Sequence, residues 1–226
     1  MNTMEKLKIV ILYRFKILSM LIASMTLSVV LLMIRVKLNQ SFFLLFLVWN
    51  LFLAVIPFAI TLYLKSKYEH SKISLLFWFG VWLLFLPNAP YIVTDLLHLH
   101  GQDKYLMWLD VLVITSFSFN GLILFFLSVM EMENILRSYL SERQQFFLIN
   151  AIMLLTGFGM YLGRFLRYNS WEIIQNPFAL FADIVDILLH PTENLQAWVF
   201  TLAFAAFLNV GYWMVKAFPG MNTSSM

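Results

Sequence analysis

Six apolar segments separated by short polar stretches constrain this chain more than any other feature. About 20 residues are enough for a helix to cross the hydrocarbon core of a bilayer, and a helix satisfies its own backbone polar groups there. We therefore predict an all-α, polytopic membrane helix bundle that forms a single membrane domain over residues 1–226. The predicted spans lie near 17–34, 42–64, 73–93, 105–129, 146–162 and 197–215.

The composition excludes a soluble domain of this size. Hydrophobic residues make up 62% of the 226 residues and charged residues only 12%, whereas soluble domains average about 45–50% and 25%. A soluble fold could not cover that much apolar surface with polar groups. The net charge of +3 does not suggest a nucleic-acid partner and fits an anionic lipid surface better.

The first apolar segment resembles a signal peptide, because basic residues precede it. It is long enough to span, however, and it ends at Arg35-Val36-Lys37 without the small residues of a cleavage site. We interpret it as a retained span.

The third segment is short before Pro87. Proline removes a backbone donor and disfavours helix in the residue before it. The segment therefore either continues as a kinked span to Val93 or stops and forms a re-entrant or interfacial piece.

The Lys and Arg residues between the spans predict the orientation, since cytoplasmic loops carry the excess. With the N-terminus inside, ten fall on the cytoplasmic side: Lys6, Lys8, Arg14, Lys16, Lys65, Lys67, Lys72, Arg137, Arg143 and Lys216. Five fall outside: Arg35, Lys37, Lys104, Arg164 and Arg167. We predict a multi-pass protein of the cell membrane with both termini in the cytoplasm.

The stretch 178–190 is too short for a seventh span. Its apolar residues recur at helical spacing, which predicts an amphipathic helix in the outer interface. Asp183, Asp186 and His190 share one side of it. That side is either a solvated face or a divalent-cation site.

The loop after the third segment brings together the residues Asn88, Thr94, Asp95, His98 and His100. Asn88 can bond backbone groups that the prolines free, and Thr94 or Asp95 can cap a new short helix. Asp95 and His98 then share a face. They form either an acid/base or metal-ligand pair or a capped helix with an incidental histidine.

Asp110 lies about one turn into the fourth span, and an intramembrane carboxylate is a functional-site hypothesis by default. We expect Arg164 or Arg167 to be its partner, because a desolvated carboxylate needs a cation or a proton. The alternative is an Asp close enough to the interface to stay hydrated. Asn50, near the start of the second span, lies toward the same outer side.

Arg164 and Arg167 are three residues apart at the end of the fifth span, with Asn169 and Ser170 following. Paired arginines bind phosphate or carboxylate, and both could equally extend into the headgroups. Gly159 and Gly163 form a Gly-x-x-x-Gly pair beside Gly157, which predicts close helix packing.

The chain contains no cysteine, so thiolate chemistry and Cys-ligated metals are excluded. A divalent metal held by His, Asp, Glu or Asn stays open. The chain has no nucleophile elbow, His-Glu-x-x-His pair or phosphate-binding loop.

Three stretches resemble the family catalogued as domain of unknown function 1361: Phe85–Leu99, Trp108-Leu109-Asp110 and Gly163–Trp171. Its members are bacterial multi-pass membrane proteins, and the likeness runs from about Trp49 to Trp213. The resemblance implies a membrane location and a shared polar cluster, but no reaction. It carries that cluster onto Asn88, Pro90, Thr94, Asp95, His98, Asp110, Arg164, Arg167, Asn169 and Ser170.

These observations leave three functions open. The first is an outward-facing site that binds or acts on a lipid or envelope precursor. In it Asp95, His98 and Asp110 would be catalytic, and Asn88, Arg164, Arg167, Asn169 and Ser170 would bind the substrate. The second is a small transporter or channel, and the third is a non-catalytic subunit of a membrane complex. The oligomeric state is not predicted.

Overall fold

A computed structural model describes residues 12, 14–67, 71–99 and 106–218. Within these ranges the chain is helical and contains no strand, as predicted. The chain divides into two compact units, Met1–Ile135 and Leu136–Met226. The single membrane domain stays a prediction.

The first unit contains four long helical segments. They are α1 (Phe15–Asn39), α2 (Phe46–Lys65, after a 3-10 turn at Phe43–Leu45), α3 (Lys72–Phe85) and α5 (Met107–Leu136). A short helix α4 (Asn88–Tyr91) and a 3-10 helix (Ile92–Leu99) continue α3. The Ser71 side chain caps α3 by accepting from the Ser74 amide.

The second unit contains α6 (Glu142–Arg164), two short helices α7 (Glu172–Gln175) and α8 (Pro177–Leu189), and α9 (Leu195–Ala217). Ser141 and Gln144 form a capping box at the start of α6, which satisfies two otherwise free backbone donors. Helices α6 and α9 pack along each other.

Six helical segments are long and apolar enough to cross a membrane, which confirms the predicted number. Each contains most of one predicted span. Several extend beyond the predicted bounds, most clearly α5, which continues past Val129 to Leu136. Tyr105, the predicted start of the fourth span, lies outside the described residues.

The third segment remains helical beyond its prolines, and its crossing of the membrane stays a prediction. Residues Lys72–Leu99 form one candidate span of 28 residues. The Asn88 amide donates to the Phe85 carbonyl at 2.9 Å, so it does satisfy a backbone group at the break, as expected.

Helix α5 is the central helix of the first unit. On one side it contacts the third segment at three levels. Trp82 donates to Ser128 at 2.8 Å, and Ser118 donates to the Ile92 carbonyl at 3.0 Å. Between them a Cβ on Gly121 would collide with the Ala89 carbonyl. This backbone contact holds the kinked segment against α5 and positions the 3-10 helix that follows.

Helix α1 contacts α5 along one narrow stripe. Four of its buried positions recur every seven residues, namely Arg14 (just before the helix), Leu21, Ser28 and Arg35, and Leu32 is buried as well. A seven-residue period keeps one face of a helix on its partner in left-handed packing. Most of the remaining α1 side chains are exposed and apolar, as suits contact with lipid.

In the second unit, α8 lies against α6 and α9. Ile187 forms an apolar cluster with Tyr161 and Ala197, and Trp198 donates to the Ile187 carbonyl at 3.2 Å. A second apolar stripe on α8 faces away from the protein and includes Phe178, which is 90% exposed, together with Phe181, Val185, Leu188 and Leu189. This arrangement is typical of an interfacial helix.

Candidate functional site

Asp95 is the carboxylate of the loop motif, and 1% of its side chain is exposed. One carboxylate oxygen accepts a hydrogen bond from the Asn50 amide at 2.9 Å. The other lies 3.7 Å from His98 Nδ1. The structure thus brings together Asn50 of α2 with Asp95 and His98 of the 3-10 helix.

His98 occupies the boundary between this buried carboxylate and the protein surface. A third of its side chain is exposed. Its ring lies 5.7 Å from that of Phe43 and 5.2 Å from that of Phe46, between centroids. The His98 imidazole therefore lies near the Asp95 carboxylate and beside two aromatic rings, and part of its surface is exposed.

The local structure around Asp95 differs from the prediction. Neither Thr94 nor Asp95 caps a new helix, because the 3-10 helix already begins at Ile92. The Thr94 hydroxyl instead donates to the Tyr91 carbonyl at 2.7 Å. Asp95 and His98 nevertheless share a face, as predicted from their spacing. His100 lies outside the described residues.

The predicted partner of Asp110 was wrong. Its carboxylate pairs with Arg35, not with Arg164 or Arg167. Arg35 Nε donates to one oxygen at 2.7 Å and Nη2 to the other at 3.4 Å. The Arg35 side chain is fully buried and that of Asp110 is 2% exposed. Arg35 Nη1 also donates to the Ser41 carbonyl at 2.7 Å.

This pair joins α1 to α5 at the end of the first unit that also carries Asn50 and the 3-10 helix. The prediction that Asp110 belongs to a buried rather than hydrated environment agrees with its exposure. One edge of the Arg35 guanidinium, Nε and Nη2, thus holds both oxygens of the Asp110 carboxylate. The arrangement indicates a role in holding helices, and a catalytic role for Asp110 stays a prediction.

Two further polar contacts of α5 were not predicted from the sequence. Asn120 donates to Ser28 at 2.9 Å in the middle of α5. Towards the other end, Glu131 is 1% exposed and contacts Arg14 and Lys65. The seven-residue recurrence of Arg14, Ser28 and Arg35 was the available signal. It is easily overlooked because both arginines lie at the flanks of the apolar segment, where snorkelling charges are common.

The remaining predicted residues lie in the second unit, at the end of α6. Arg164 and Ser170 are half-buried, and Arg167 and Asn169 are exposed. Arg167 adopts a left-handed backbone conformation with φ of 61°, which is uncommon for a residue other than glycine. Binding of an anion by these residues stays a prediction.

The close packing predicted around the glycines of α6 occurs at Gly157. A Cβ there would lie 2.6 Å from the Thr201 carbonyl of α9. Because a backbone carbonyl cannot move aside as a flexible side chain can, only glycine allows this approach. Gly159 and Gly163, which the pattern emphasised, are half-buried.

The polar side of α8 is organised by hydrogen bonds. Tyr168 donates to Asp183 at 2.7 Å, and this bond raises the pKa of the Tyr168 phenol above its ordinary value. Asn194 donates to Asp186 at 3.2 Å, and His190 Nδ1 lies 2.9 Å from the same carboxylate. These two contacts, that of Asn194 first, lower the pKa of Asp186.

Metal ligands do not cluster in the part of the chain that the structure describes. No three His, Asp or Glu side chains come together closely enough to hold an ion. Asp183 and Asp186, candidates for a cation face, instead accept hydrogen bonds from Tyr168 and Asn194.

Comparison with known proteins places the chain in one family. The family model described as "Protein of unknown function (DUF1361)" matches residues 49–210, which is most of the chain. The chain belongs to this family. The match confirms the resemblance carried by the loop and α6 motifs. Neither the curated proteins nor the solved structures contain a match.

The matched region of this DUF1361 protein covers the residues around Asp95 and the end of α6. It begins at residue 49, so Asn50 falls inside it and Arg14 and Arg35 do not. The protein is an integral membrane protein of a family without an assigned function.

Proposed function

We propose that the first unit carries an acid–base site at one membrane face, at which His98 exchanges a proton with a lipid or lipid-linked substrate. The observation that supports this most is the position of His98, partly exposed and 3.7 Å from the buried carboxylate of Asp95. Asp95 is a positioning residue in this proposal, and His98 is the residue that touches substrate.

The chemistry follows from the surroundings of the two side chains. A buried carboxylate favours a cation beside it, so Asp95 stabilises the imidazolium that forms when His98 accepts a proton. Asn50 holds the second carboxylate oxygen and thereby directs the first towards the ring. Catalytic contacts are often long without substrate, so the separation of His98 and Asp95 is compatible with a bond that shortens on binding.

The proposed substrate class follows from the surface beside His98. Phe43 and Leu97 of this region are exposed by 47% and 54%, and the site lies near the ends of helices long enough to span. An apolar surface around a polar group fits a molecule with both a headgroup and acyl chains. The predicted orientation places this face outside, which favours an envelope precursor or an outer-leaflet lipid.

The second unit carries a separate proposal of its own. There Arg164 and Arg167 bind a phosphate or carboxylate, with Asn169 and Ser170 as further hydrogen-bonding groups.

The experiment compares membrane extracts of the natural host carrying the wild-type protein with those carrying His98→Gln at equal protein level. Mass spectrometry of lipids and lipid-linked precursors should show one species that accumulates in the variant. Asn134→Ala, a substitution on α5 distant in sequence from the site, serves as control. Indistinguishable extracts from wild-type and His98→Gln cells would refute the proposal.

A second candidate is a non-catalytic membrane subunit, and the internal pairing of Asp110 with Arg35 favours it. A purely structural protein should lose abundance, not activity, when Asp95 or His98 is changed. Quantitative immunoblotting of membranes therefore separates the two candidates.

A further inference from the structure

A second cluster of charges lies at the other end of the first unit. Glu131 of α5 contacts Arg14, just before α1, and accepts a hydrogen bond from Lys65 at the end of α2 at 3.0 Å. The side chains of Arg14 and Glu131 are 3% and 1% exposed, and that of Lys65 is 35% exposed. The Glu131 carboxylate of α5 is thus contacted by two cationic side chains, one from the start of α1 and one from the end of α2.

The charges of this cluster do not balance. Arg14 and Lys65 contribute two positive charges and Glu131 one negative charge, which leaves one positive charge in excess. Because Arg14 and Glu131 are buried together and Lys65 is partly exposed, the excess charge lies on the accessible side of the cluster. Arg14 Nη1 faces Glu131 Oε1 inside the cluster, so of the three described residues Lys65 is the one whose charge keeps an open side.

Further lysines lie in the same parts of the chain. Lys16 and Lys72 are exposed, and Lys67 lies over the Tyr63 ring, 4.6 Å from its centroid. Glu133 is the neighbouring carboxylate on α5. Lys65 keeps about a third of its surface open, so an anion can approach the cluster from its side.

The position along the helices fits a headgroup. The interval from Asp110 to Glu131 on α5 is as long in sequence as the interval from Arg14 to Arg35. At about 1.5 Å per residue both intervals span about 31 Å, which matches the hydrocarbon thickness of about 30 Å. When the Arg35–Asp110 pair lies at one boundary of the hydrocarbon, the Glu131 cluster lies at the other, at the depth of lipid phosphates.

We propose that the phosphate of an anionic phospholipid completes the cluster of Arg14, Lys65 and Glu131. The phosphate oxygens accept from the exposed side of Lys65, and the negative charge cancels the excess. This site is separate from the proposed acid–base site. By the predicted orientation it faces the cytoplasmic leaflet, where anionic lipids attract basic residues.

The test measures lipid binding to the full-length protein purified in an uncharged detergent. Thermal stability is followed while phosphatidylglycerol, phosphatidylcholine with the same acyl chains, or inorganic phosphate is added. Phosphatidylglycerol should raise the melting temperature saturably, and phosphatidylcholine should not. Lys65→Gln should weaken the apparent affinity for phosphatidylglycerol about tenfold, whereas Lys65→Arg should retain it.

Lys37→Gln is the matched control, because it removes one exposed lysine from the other end of α1 and should leave the affinity unchanged. Equal stabilisation by both lipids, or unchanged affinity in Lys65→Gln, would overturn the proposal. Saturation by inorganic phosphate alone would overturn its assignment to a lipid. If Lys65→Gln does not yield folded protein, the lipid comparison on wild type and Lys65→Arg decides.

Discussion

Arg35 and Asp110 form a buried ion pair, with 2.7 Å between Arg35 Nε and Asp110 Oδ1. The pair links the end of α1 to the start of α5, and Arg14 and Glu131 link the opposite ends of the same helices. The two contacts are separated by the same length of chain on each helix. Two charged contacts, one at each end, therefore fix the register of an antiparallel helix pair.

Breaking the Arg35–Asp110 pair should destabilise the first unit strongly. In Arg35→Met the carboxylate of Asp110 stays buried without its cation, and removing one partner of a buried pair typically costs about 3–5 kcal/mol. Unfolding of the purified protein in detergent measures the loss.

The double variant Arg35→Met/Asp110→Leu removes both charges and serves as the control. It should recover most of the lost stability, since replacing a buried pair by apolar groups is often neutral. A double variant as unstable as Arg35→Met would contradict a role confined to mutual neutralisation.

Gly157→Ala should loosen the packing of α6 against α9, because the added methyl would meet the Thr201 carbonyl at 2.6 Å. Overpacking of this kind costs about 1–3 kcal/mol. Gly80→Ala is the comparison, since no atom lies within 4 Å of a Cβ at that position. Melting temperatures should fall for the first variant only, and equal effects would argue against the contact.

The carboxyl group of Asp186 should titrate below its ordinary pKa, because Asn194 and His190 hydrogen-bond to its ionised form. Ionised Asp186 therefore stabilises the folded protein above the pKa that its carboxyl group has in the unfolded chain. This stabilisation is lost as the pH falls through the lower pKa of the folded state. Carbon-13 NMR of the carboxyl follows the titration.

Asn194→Ala should raise the pKa of Asp186 towards its ordinary value. Asn176→Ala, which removes a hydrogen bond to Glu172 instead, should leave it unchanged. A pKa of Asp186 insensitive to Asn194→Ala would refute the assigned cause.

The predicted orientation can be tested with single cysteines, because the chain has none of its own. Lys67→Cys should be protected from an impermeant thiol reagent in intact cells, and Asn169→Cys should react. Arg14 and Arg35 are paired inside the protein. Without them each side of the membrane loses one basic residue, and the cytoplasmic side still carries the excess of Lys and Arg. The opposite labelling pattern would reverse the topology.

The sequence predicted the spans well because a hydrophobic segment of sufficient length has few alternatives in a membrane protein. It also predicted that Asp95 and His98 share a face, since their spacing alone decides this within a helix. The hydrogen bond from Asn50 to Asp95 was not predicted, because the sequence shows Asn50 only as a polar residue towards the same membrane face.

The sequence does not identify the partner of Asp110, because it does not show which helices are adjacent. Arg35 lies at the flank of the first apolar segment, and only the packing of α1 on α5 brings it to the carboxylate. Burial on α1 follows a seven-residue stripe that ends in charged residues at both ends. Apolar periodicity does not reveal such a stripe, since the rest of α1 is apolar as well.

The decisive measurement is the level of the lipid species that accumulates in His98→Gln. It is compared among His98→Gln, Asp95→Asn and the double variant that combines the two. If Asp95 acts by positioning His98, the double variant should be no more impaired than His98→Gln alone, because residues that act as a unit are not additive. Membrane protein levels should stay equal throughout. Additive losses, or full activity in both single variants, would contradict a site built on this pair.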